Sequence, residues 1–213
     1  MDEKIEEVIR FYLMTNSLKY KVRQGWIYWN VYNDRLESIA EHVYGTCNLA
    51  FAFYLYFDLK INIEKVIMML ACHETEEIKI GDKTDFDSTL QERLTEGEKA
   101  VKDILGKSNN SMYIYNLLNE FNARETEEAK FAYMCDKLEW DIQSKIYEDM
   151  GCHHLDHQEN NPAFNSPVVQ DIIRKGAMTV ADICIEYDRS KFSGSEVFTK
   201  ALDYIKRKDT REL

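Results

Sequence analysis

The sequence predicts an all-α protein, built as an orthogonal bundle of helices. Apolar residues recur at helical spacing through most of the chain, and the alternation typical of strands is scarce. Only two prolines and eight glycines interrupt the 213 residues, so long helices are expected. A chain of this length can bury one large core, and it contains no repeat or linker that would divide it. We therefore expect a single helical domain spanning residues 1–213.

Charge and composition narrow the class of function. The net charge of −11 argues against binding to a nucleic-acid polymer or to an anionic membrane. The N-terminus begins with acidic residues, unlike a secretory signal, and no apolar stretch reaches the roughly 18 residues of a spanning helix. The five cysteines are scattered without a Cys-x-x-Cys pair, which fits reduced thiols. We expect a cytoplasmic protein with room for a local pocket that binds one small phosphate.

The first 36 residues show two patterns. Residues 3–16 have helical periodicity and predict an amphipathic helix. On one side of it lie Ile5, Val8, Ile9 and Tyr12. Residues 19–36 are rich in aromatic side chains but lose this period. We interpret them as an extended, partly ordered connection.

Capping residues mark the next two helices. Ser38 is followed three residues later by a glutamate, the pattern of a capping box, and a helix then runs to about Asp58. Asn62 can cap a second helix that runs to about Ile80, where Gly81 is placed to end it. Further helices are predicted at residues 88–105, 112–121, 124–149, 167–188 and 195–207. The turn-rich segment 151–167 is the clearest loop.

Polar groups interrupt the apolar faces of several predicted helices. His42 precedes an apolar helix, and His73 and Glu74 end the apolar run VIMMLA. Asp136 lies on a helix whose neighbouring positions are apolar. A buried charge is costly unless it is paired or bound to a metal. Two imidazoles and two carboxylates could satisfy one another around one divalent ion.

Each of these residues has a simpler explanation when it is taken alone. A single helical histidine is more often a hydrogen-bonded core or surface residue, and a single aspartate usually pairs with a nearby lysine or arginine. The order His, His-Glu, Asp along the chain favours a shared site. The acids after His73 favour it too, because Glu77 follows four residues later on the same helical face and Asp82 comes just after the helix end.

The ordered set resembles the HD-domain metal-dependent phosphohydrolases, and most closely their 5'-deoxynucleotidase branch, which removes phosphate from deoxyribonucleoside 5'-monophosphates. The likeness covers roughly residues 15–150. It is carried by RQGW (23–26), RLESIAEH (35–42), HETEEIKIGD (73–82) and EEAKFAYMCDKLEWDIQSKIYE (127–148). The resemblance implies an orthogonal helical bundle of the HD-domain type, with a metal-site core at about 35–150 and C-terminal helices at 167–207 packed on it.

The resemblance also implies a role for individual residues. The metal ligands would be His42, His73, Glu74 and Asp136. Glu77 would handle the proton of the attacking water, and Asp82 would assist near the leaving 5'-oxygen. Arg23 and Trp26 would hold the nucleotide, with Arg35 a weaker candidate for the phosphate. On spacing alone, an alternative is favoured for Trp26, namely a core aromatic in an aromatic-rich segment.

The ligand chemistry predicts one metal ion. Mixed imidazole and carboxylate ligation suits Mn, Fe, Co, Ni or Zn better than Mg or Ca. Dinuclear sites need further imidazoles, and the remaining histidines, at 153, 154 and 157, lie in the turn-rich loop. The expected partner is a small nucleotide, and the family likeness also favours a homodimer.

One residue departs from the family pattern, because His73 is followed by Glu74 where the family has aspartate. Glutamate keeps the carboxylate but adds a methylene, which displaces the oxygens by about 1.5 Å. The leading hypothesis is a metal-dependent phosphohydrolase. The alternatives are a non-catalytic HD-fold protein that binds a nucleotide and, more distantly, a helical interaction module whose acids are only surface groups.

Overall fold

The computed structural model describes residues 1–84, 86–156 and 158–212. Within these ranges the regular elements are helices, and paired extended backbone amounts to one isolated antiparallel bridge between Val22 and Ser38. The predicted all-α class is therefore confirmed. No helix in the described part of the chain is long and apolar enough to cross a membrane.

Eleven α-helices are assigned in the described residues. They are α1 (Asp2–Asn16), α2 (Gln24–Tyr28), α3 (Ile39–Tyr56), α4 (Ile63–Cys72), α5 (Glu77–Ile80), α6 (Leu90–Leu105), α7 (Ser111–Ala123), α8 (Glu127–Asp149), α9 (Pro167–Arg174), α10 (Val180–Asp188) and α11 (Glu196–Arg207). Short 3-10 helices occupy Ser17–Tyr20, Arg189–Phe192 and Thr210–Glu212.

The chain divides into two compact units. The first unit comprises Met1–Gln24 and Glu37–Tyr133, and the second comprises Gly25–Leu36 and Met134–Leu213. Buried apolar side chains form a core in each. In the first unit they include Ile39, Ala50, Phe53, Val66, Met69, Leu70 and Leu117. In the second they include Trp26, Leu138, Ile183, Ile185, Phe192 and Leu202. The single domain spanning residues 1–213 stays a prediction.

The predicted caps of α3 and α4 are confirmed. The Ser38 hydroxyl accepts from the backbone N–H of Glu41 at 3.3 Å, and the Glu41 carboxylate accepts from the Ser38 N–H at 2.8 Å. These two reciprocal bonds form a complete capping box. At the start of α4, the Asn62 side chain accepts from the Lys65 N–H at 3.1 Å. Both helices therefore begin where their cap residues predict.

The single helix predicted from residue 63 to residue 80 is wrong, because the chain breaks between α4 and α5. His73 Nδ1 donates to the Leu70 carbonyl at 2.7 Å, and the Thr75 hydroxyl donates to the Cys72 carbonyl at 2.6 Å. These side chains compete with backbone N–H groups for carbonyls that a continuous helix would use. The break occurs at the histidine that the sequence predicts as a ligand.

Glycines with positive φ occur where helices end or are separated. Gly81 (φ +75°) ends α5, as the sequence predicts. Gly176 (φ +111°) lies between α9 and α10, so the continuous helix predicted at 167–188 is wrong. The Thr179 hydroxyl then accepts from the Asp182 N–H at 3.0 Å and caps the start of α10. A glycine followed by a threonine cap marks the end of one helix and the start of the next, and helical periodicity alone does not reveal it.

The interpretation of residues 19–36 as an extended connection is only partly right. The 3-10 helix covers Ser17–Tyr20 and α2 covers Gln24–Tyr28, so the non-helical backbone is limited to residues 21–23 between them and residues 29–36 after α2. In the first of these stretches, the backbone is joined to the residues around the start of α3. There the Arg23 N–H donates to the Glu37 carbonyl at 3.0 Å, and the Ile39 N–H donates to the Lys21 carbonyl at 2.8 Å. These bonds join the stretch to the start of α3.

The apolar side predicted for α1 is exposed. Ile5, Val8, Ile9 and Tyr12 are each more than half exposed, and none of the residues of α1 is buried. The helix is amphipathic as predicted, but the other described residues leave its apolar side exposed.

Candidate metal centre

Two helix ends in the first unit supply the candidate site. His42 lies in the first turns of α3, where the capping box fixes the start of the helix, and its side chain is fully buried. His73 is the C-terminal cap residue of α4 and is also buried. Glu74 comes directly after the helix, and its side chain is 12% exposed. The short link between α4 and α5 thus carries the predicted His-Glu pair.

One carboxylate oxygen faces both imidazoles. Glu74 Oε1 lies 3.6 Å from His42 Nε2 and 3.5 Å from His73 Nε2. All three candidate ligand atoms lie within 4.8 Å of one another. Ligands about 2.1 Å from a tetrahedral metal are separated by roughly 3.4 Å, so the two short distances are close to those of an assembled site. The structure therefore brings together three of the four predicted ligands.

The tautomer of His73 suits a metal ligand. Its Nδ1 lies 2.7 Å from the Leu70 carbonyl oxygen, which can only accept, so Nδ1 carries the proton. The lone pair is then on Nε2, the atom that faces Glu74 Oε1. A backbone carbonyl that fixes the protonated nitrogen in this way is typical of metal-ligating histidines. The donor set therefore fits a divalent transition metal.

Arg23 is the cation that contacts the carboxylates beside the histidines. Its Nη1 donates to Glu74 Oε1 at 2.8 Å and lies 3.9 Å from Glu77 Oε1. Its Nε lies 3.5 Å from Asp82 Oδ2, which also accepts from the backbone N–H of Gln24 at 2.8 Å. The structure therefore brings Arg23, Glu77 and Asp82 to the His-Glu pair, as the order of the motifs predicts.

Glu77 is a buried acid with a shifted pKa. Burial raises its pKa well above the ordinary value, and the nearby carboxylates of Glu74 and Asp82 raise it further, whereas Arg23 lowers it. In the described part of the chain, its Oε2 atom is buried without a hydrogen-bond partner. One guanidinium does not fully compensate three carboxylates, so the site has the electrostatic character that favours a bound cation.

Two residues beside this site carry no signal in the sequence. The Lys21 ammonium donates to the carbonyls of Glu77 at 2.6 Å and Ile78 at 2.8 Å and so joins its segment to α5. Glu76 has its pKa raised to about 7, first by burial and then by Glu74. No pattern in the sequence separates this lysine from an exposed one. The break between α4 and α5, where Glu76 lies, is equally hidden by helical periodicity.

The other three predicted site residues lie in the second unit. Asp136 is buried on α8, and its Oδ2 lies 2.9 Å from the Lys137 ammonium. Trp26 is fully buried and stacks on Trp140 with 3.8 Å between ring centroids, an environment that favours the alternative of a core aromatic. Arg35 is exposed. The ligand role of Asp136 and the substrate roles of Trp26 and Arg35 stay predictions.

The fold and the His-Glu site together define the class of protein. The family model described as HD domain matches residues 15–174, which is most of the chain. The chain belongs to the HD domain family, and the resemblance drawn from the sequence motifs is confirmed.

Curated relatives place the chain more narrowly within the family. It is 30% identical over 146 residues to the mouse 5'-deoxynucleotidase HDDC2, covering 67% of this chain and 71% of the mouse protein. It is 28% identical over 146 residues to the human 5'-deoxynucleotidase HDDC2, covering 67% and 69%. A fission yeast (Schizosaccharomyces pombe) 5'-deoxynucleotidase, hdd1, is 29% identical over 148 residues, covering 66% and 72%.

Solved structures share the fold. A predicted metal-dependent phosphohydrolase from Magnetospirillum magnetotacticum MS-1 superposes with a TM-score of 0.65 at 22% identity, covering 95% of each chain. A conserved hypothetical protein from Pyrococcus furiosus superposes with a TM-score of 0.63 at 20% identity, covering 94% of this chain and 99% of that one. At these identities the likeness supports the fold.

Proposed function

We propose that this protein is a metal-dependent phosphohydrolase that removes the 5'-phosphate from deoxyribonucleoside monophosphates. The observation that carries the proposal is the position of Glu74 Oε1, 3.5 Å and 3.6 Å from the Nε2 atoms of His73 and His42, beside the buried acid Glu77. The 5'-deoxynucleotidases among its relatives support the choice of substrate.

His42, His73 and Glu74 would hold one divalent ion, such as Mn, Fe, Co, Ni or Zn, and the predicted fourth ligand is Asp136. A bound ion of this kind acidifies water and offsets the charge of the phosphoryl oxygens. The chain's own contribution is to hold the imidazoles by the capping box of α3 and by the carbonyl of Leu70. These supports are already in place, so little reorganisation is needed when a ligand binds.

Glu77 is the proposed proton acceptor for the attacking water. Water attacks phosphorus and passes one proton to the Glu77 carboxylate. The bond between phosphorus and the 5'-oxygen breaks, and that oxygen takes up one proton in return, so the products are inorganic phosphate and a nucleoside. An acid with a raised pKa binds a proton more readily, which suits a general base once the carboxylate is ionised. Asp82 is proposed to assist at the leaving 5'-oxygen, and Arg23 to contact the phosphate.

The remaining partners and the location belong to the same proposal. Trp26 and Arg35 are proposed to contribute to nucleotide binding, and the proposed state of the protein is a cytoplasmic homodimer. The support for a homodimer is the exposed apolar side of α1, together with exposed side chains near the end of α3. The latter are Phe51, Tyr54, Leu55 and Tyr56. Apolar patches of this kind commonly mark protein interfaces.

One observation favours a second candidate function. Glu74 Oε1 already accepts a hydrogen bond from Arg23 at 2.8 Å, so this carboxylate has a cationic partner without a metal. An HD-fold protein that binds a nucleotide without hydrolysing it would be consistent with that pairing. Phosphate release separates the two candidates.

The test is a screen of deoxy- and ribonucleoside 5'-monophosphates with each of the five metals, measuring released phosphate. We expect release with at least one metal and faster release from the deoxyribonucleotides. The His73→Ala variant should lose both the metal and the activity, because it removes a candidate ligand. The Asp136→Ala variant tests the predicted fourth ligand in the same assay. Nucleotide binding without phosphate release under every metal would favour the second candidate.

A further inference from the structure

We propose that Arg23 is a positioning residue for Glu74, and that glutamate at this position is matched to the reach of that arginine. The inference rests on the proposed metal site and deepens it. It concerns the one position at which the chain departs from the His-Asp pattern that its sequence otherwise resembles.

The geometry around a single oxygen atom supports the inference. Glu74 Oε1 accepts from Arg23 Nη1 at 2.8 Å while it faces the Nε2 atoms of His42 and His73 at 3.6 Å and 3.5 Å. The hydrogen bond and the approach to both imidazoles therefore coexist in one arrangement. A carboxylate oxygen has two lone-pair directions, so it can accept from a guanidinium and still face a metal. Ligating carboxylates are commonly held by such an outer hydrogen bond.

The backbone around Arg23 is fixed on two sides. The Arg23 N–H donates to the Glu37 carbonyl at 3.0 Å, just before the capping box of α3, which carries His42. Two residues earlier, the Lys21 ammonium donates to the carbonyls of Glu77 and Ile78 in α5. The guanidinium is thus presented from a segment that is joined both to the helix of one candidate ligand and to the helix that follows Glu74. A side chain held in this way can orient its partner.

The length of the side chain at position 74 determines whether the hydrogen bond with Arg23 forms. Replacing glutamate by aspartate draws the carboxylate back by about 1.5 Å if the backbone stays in place. From a starting distance of 2.8 Å, Arg23 Nη1 would then lie beyond hydrogen-bond range of that carboxylate. Glutamate therefore reaches both the arginine and the imidazoles, whereas aspartate would be drawn back from all three groups and would have no hydrogen bond from the arginine. We infer that the extra methylene and Arg23 form one functional pair.

A double-mutant cycle on the metal affinity of the full-length protein tests the pair. The probe is Co²⁺, titrated by calorimetry and followed by its visible absorption, which reports the ligand geometry. The four proteins are the parent, Arg23→Lys, Glu74→Asp and the double variant. Arg23→Lys keeps the positive charge but loses the planar fork, so the change isolates positioning from charge. Loss of an outer partner typically costs 10- to 100-fold in metal affinity.

In the parent protein, we expect Arg23→Lys to weaken Co²⁺ binding about 10-fold and to alter the absorption spectrum of the bound Co²⁺. In the Glu74→Asp background, the same substitution should change the Co²⁺ affinity by less than about 2-fold. Glu74→Asp alone should weaken Co²⁺ binding, while circular dichroism shows an unchanged fold. This variant provides the test if Arg23→Lys fails to fold. The matched control is Arg93→Lys, at an arginine that donates to the carbonyls of Thr84 and Ser88, and it should bind Co²⁺ like the parent.

Equal effects of Arg23→Lys in the two backgrounds, or no effect in the parent, would overturn the inference and leave the metal site intact. A parent protein that binds no Co²⁺ would overturn both this inference and the proposed metal site. The experiment measures Co²⁺ binding and does not depend on phosphate release. A protein that binds the metal without hydrolysing a nucleotide is therefore sufficient to test the inference.

Discussion

Two groups of buried acids in this molecule have different surroundings. The histidine–carboxylate cluster of the first unit consists of His42, His73, Glu74, Glu77, Asp82 and Arg23. The aspartate cluster of the second unit consists of Asp141, Ser144 and Asp188, on α8 and α10. Imidazole nitrogens and a guanidinium converge on the acids of the first cluster, whereas Asp141 has both carboxylate oxygens buried without a hydrogen-bond partner in the described part of the chain.

The difference shows what a metal site requires beyond buried carboxylates. In the aspartate cluster, burial and the nearby Asp188 raise the pKa of Asp141 well above its ordinary value, while Lys191 and Lys137 lower it. A proton is the simplest way to neutralise such a group. In the histidine–carboxylate cluster, the Nε2 atoms of two imidazoles face the same carboxylate oxygen, a set of nitrogen and oxygen donors that suits a divalent transition metal. Burial alone therefore does not distinguish the two clusters, but converging imidazoles do.

The largest expected difference between the clusters is in turnover. Glu77→Gln should keep the metal and lower phosphate release by about 10²- to 10⁴-fold, because it removes the proposed proton acceptor without removing a ligand. Asp141→Asn is the matched control, since it makes an analogous acid-to-amide change in the aspartate cluster, and it should keep most of the activity. Similar rates for Glu77→Gln and the parent would show that the base lies elsewhere.

A histidine near the aspartate cluster should control stability at acid pH. His153 donates from Nε2 to the Ser144 carbonyl at 2.9 Å, and burial lowers its pKa to about 4 from the usual 6.5. The unfolded chain therefore binds a proton between about pH 6.5 and pH 4 that the folded chain does not. Stability from this residue is complete above that range and is lost as the pH falls through it, by about 3 kcal/mol at most.

Urea unfolding followed by circular dichroism at pH 7 and pH 4.5 measures this loss. The His153→Gln variant should show a smaller fall in the free energy of unfolding than the parent does. The exposed neighbour His154 provides the control, because it contributes less than burial to the lowered pKa of His153, so His154→Gln should change the fall much less than His153→Gln does. A parallel fall in all three proteins would contradict the proposed role of His153.

Asp141 should have the opposite pH dependence. Its pKa is raised on folding, so its contribution to stability is present below the unfolded pKa of about 3.9 and is lost as the pH rises through the folded pKa. Asp141→Asn removes this loss, and the stability of the variant relative to the parent should increase with pH, by up to about 1.4 kcal/mol per pH unit for one proton. Denaturation midpoints of the parent and the variant, compared between pH 4 and pH 8, measure this increase. A constant difference between the two midpoints would show that Asp141 is ionised throughout.

The smallest expected effect concerns the capping boxes. Ser38→Ala and Thr89→Ala each remove a side-chain cap, from α3 and α6 respectively, and should each lower the free energy of unfolding by about 1 kcal/mol. Only α3 carries a candidate ligand, His42, in its first turns, so only Ser38→Ala should also weaken Co²⁺ binding. Equal metal affinity in the two variants would mean that the cap stabilises the helix without fixing the histidine.

Local signals in the sequence predict much of the fold and of the candidate site. The capping pattern at Ser38 and the cap at Asn62 locate two helix starts, because these side chains bond to the next few residues. Glu77 and Asp82 both lie near Arg23, which donates to Glu74, as expected for acids that follow the His-Glu pair. The single helical face predicted for His73 and Glu77 is wrong, because α4 ends at Cys72 and α5 begins at Glu77. Short-range hydrogen bonds and motif order are therefore recoverable from the sequence.

Features that depend on tertiary contacts are not recoverable in this way. The break after α4 arises when side chains bond to backbone carbonyls, and the contact of Lys21 with α5 joins residues more than fifty positions apart. The burial of Trp26 against Trp140 is a second example, since the aromatic-rich segment shows no period that would indicate which ring is inside. Such pairings follow from packing rather than from local pattern.

The packing of Trp26 on Trp140 has a spectroscopic consequence. The chain has three tryptophans, Trp26, Trp29 and Trp140, and all three lie in the second unit. Intrinsic tryptophan emission therefore reports directly on the second unit, while His42, His73 and Glu74 lie in the first. Circular dichroism, by contrast, detects the helices of both units. A metal that shifts the far-ultraviolet transition but not the tryptophan transition would reveal two units that melt separately, and coincident shifts would reveal one cooperative protein.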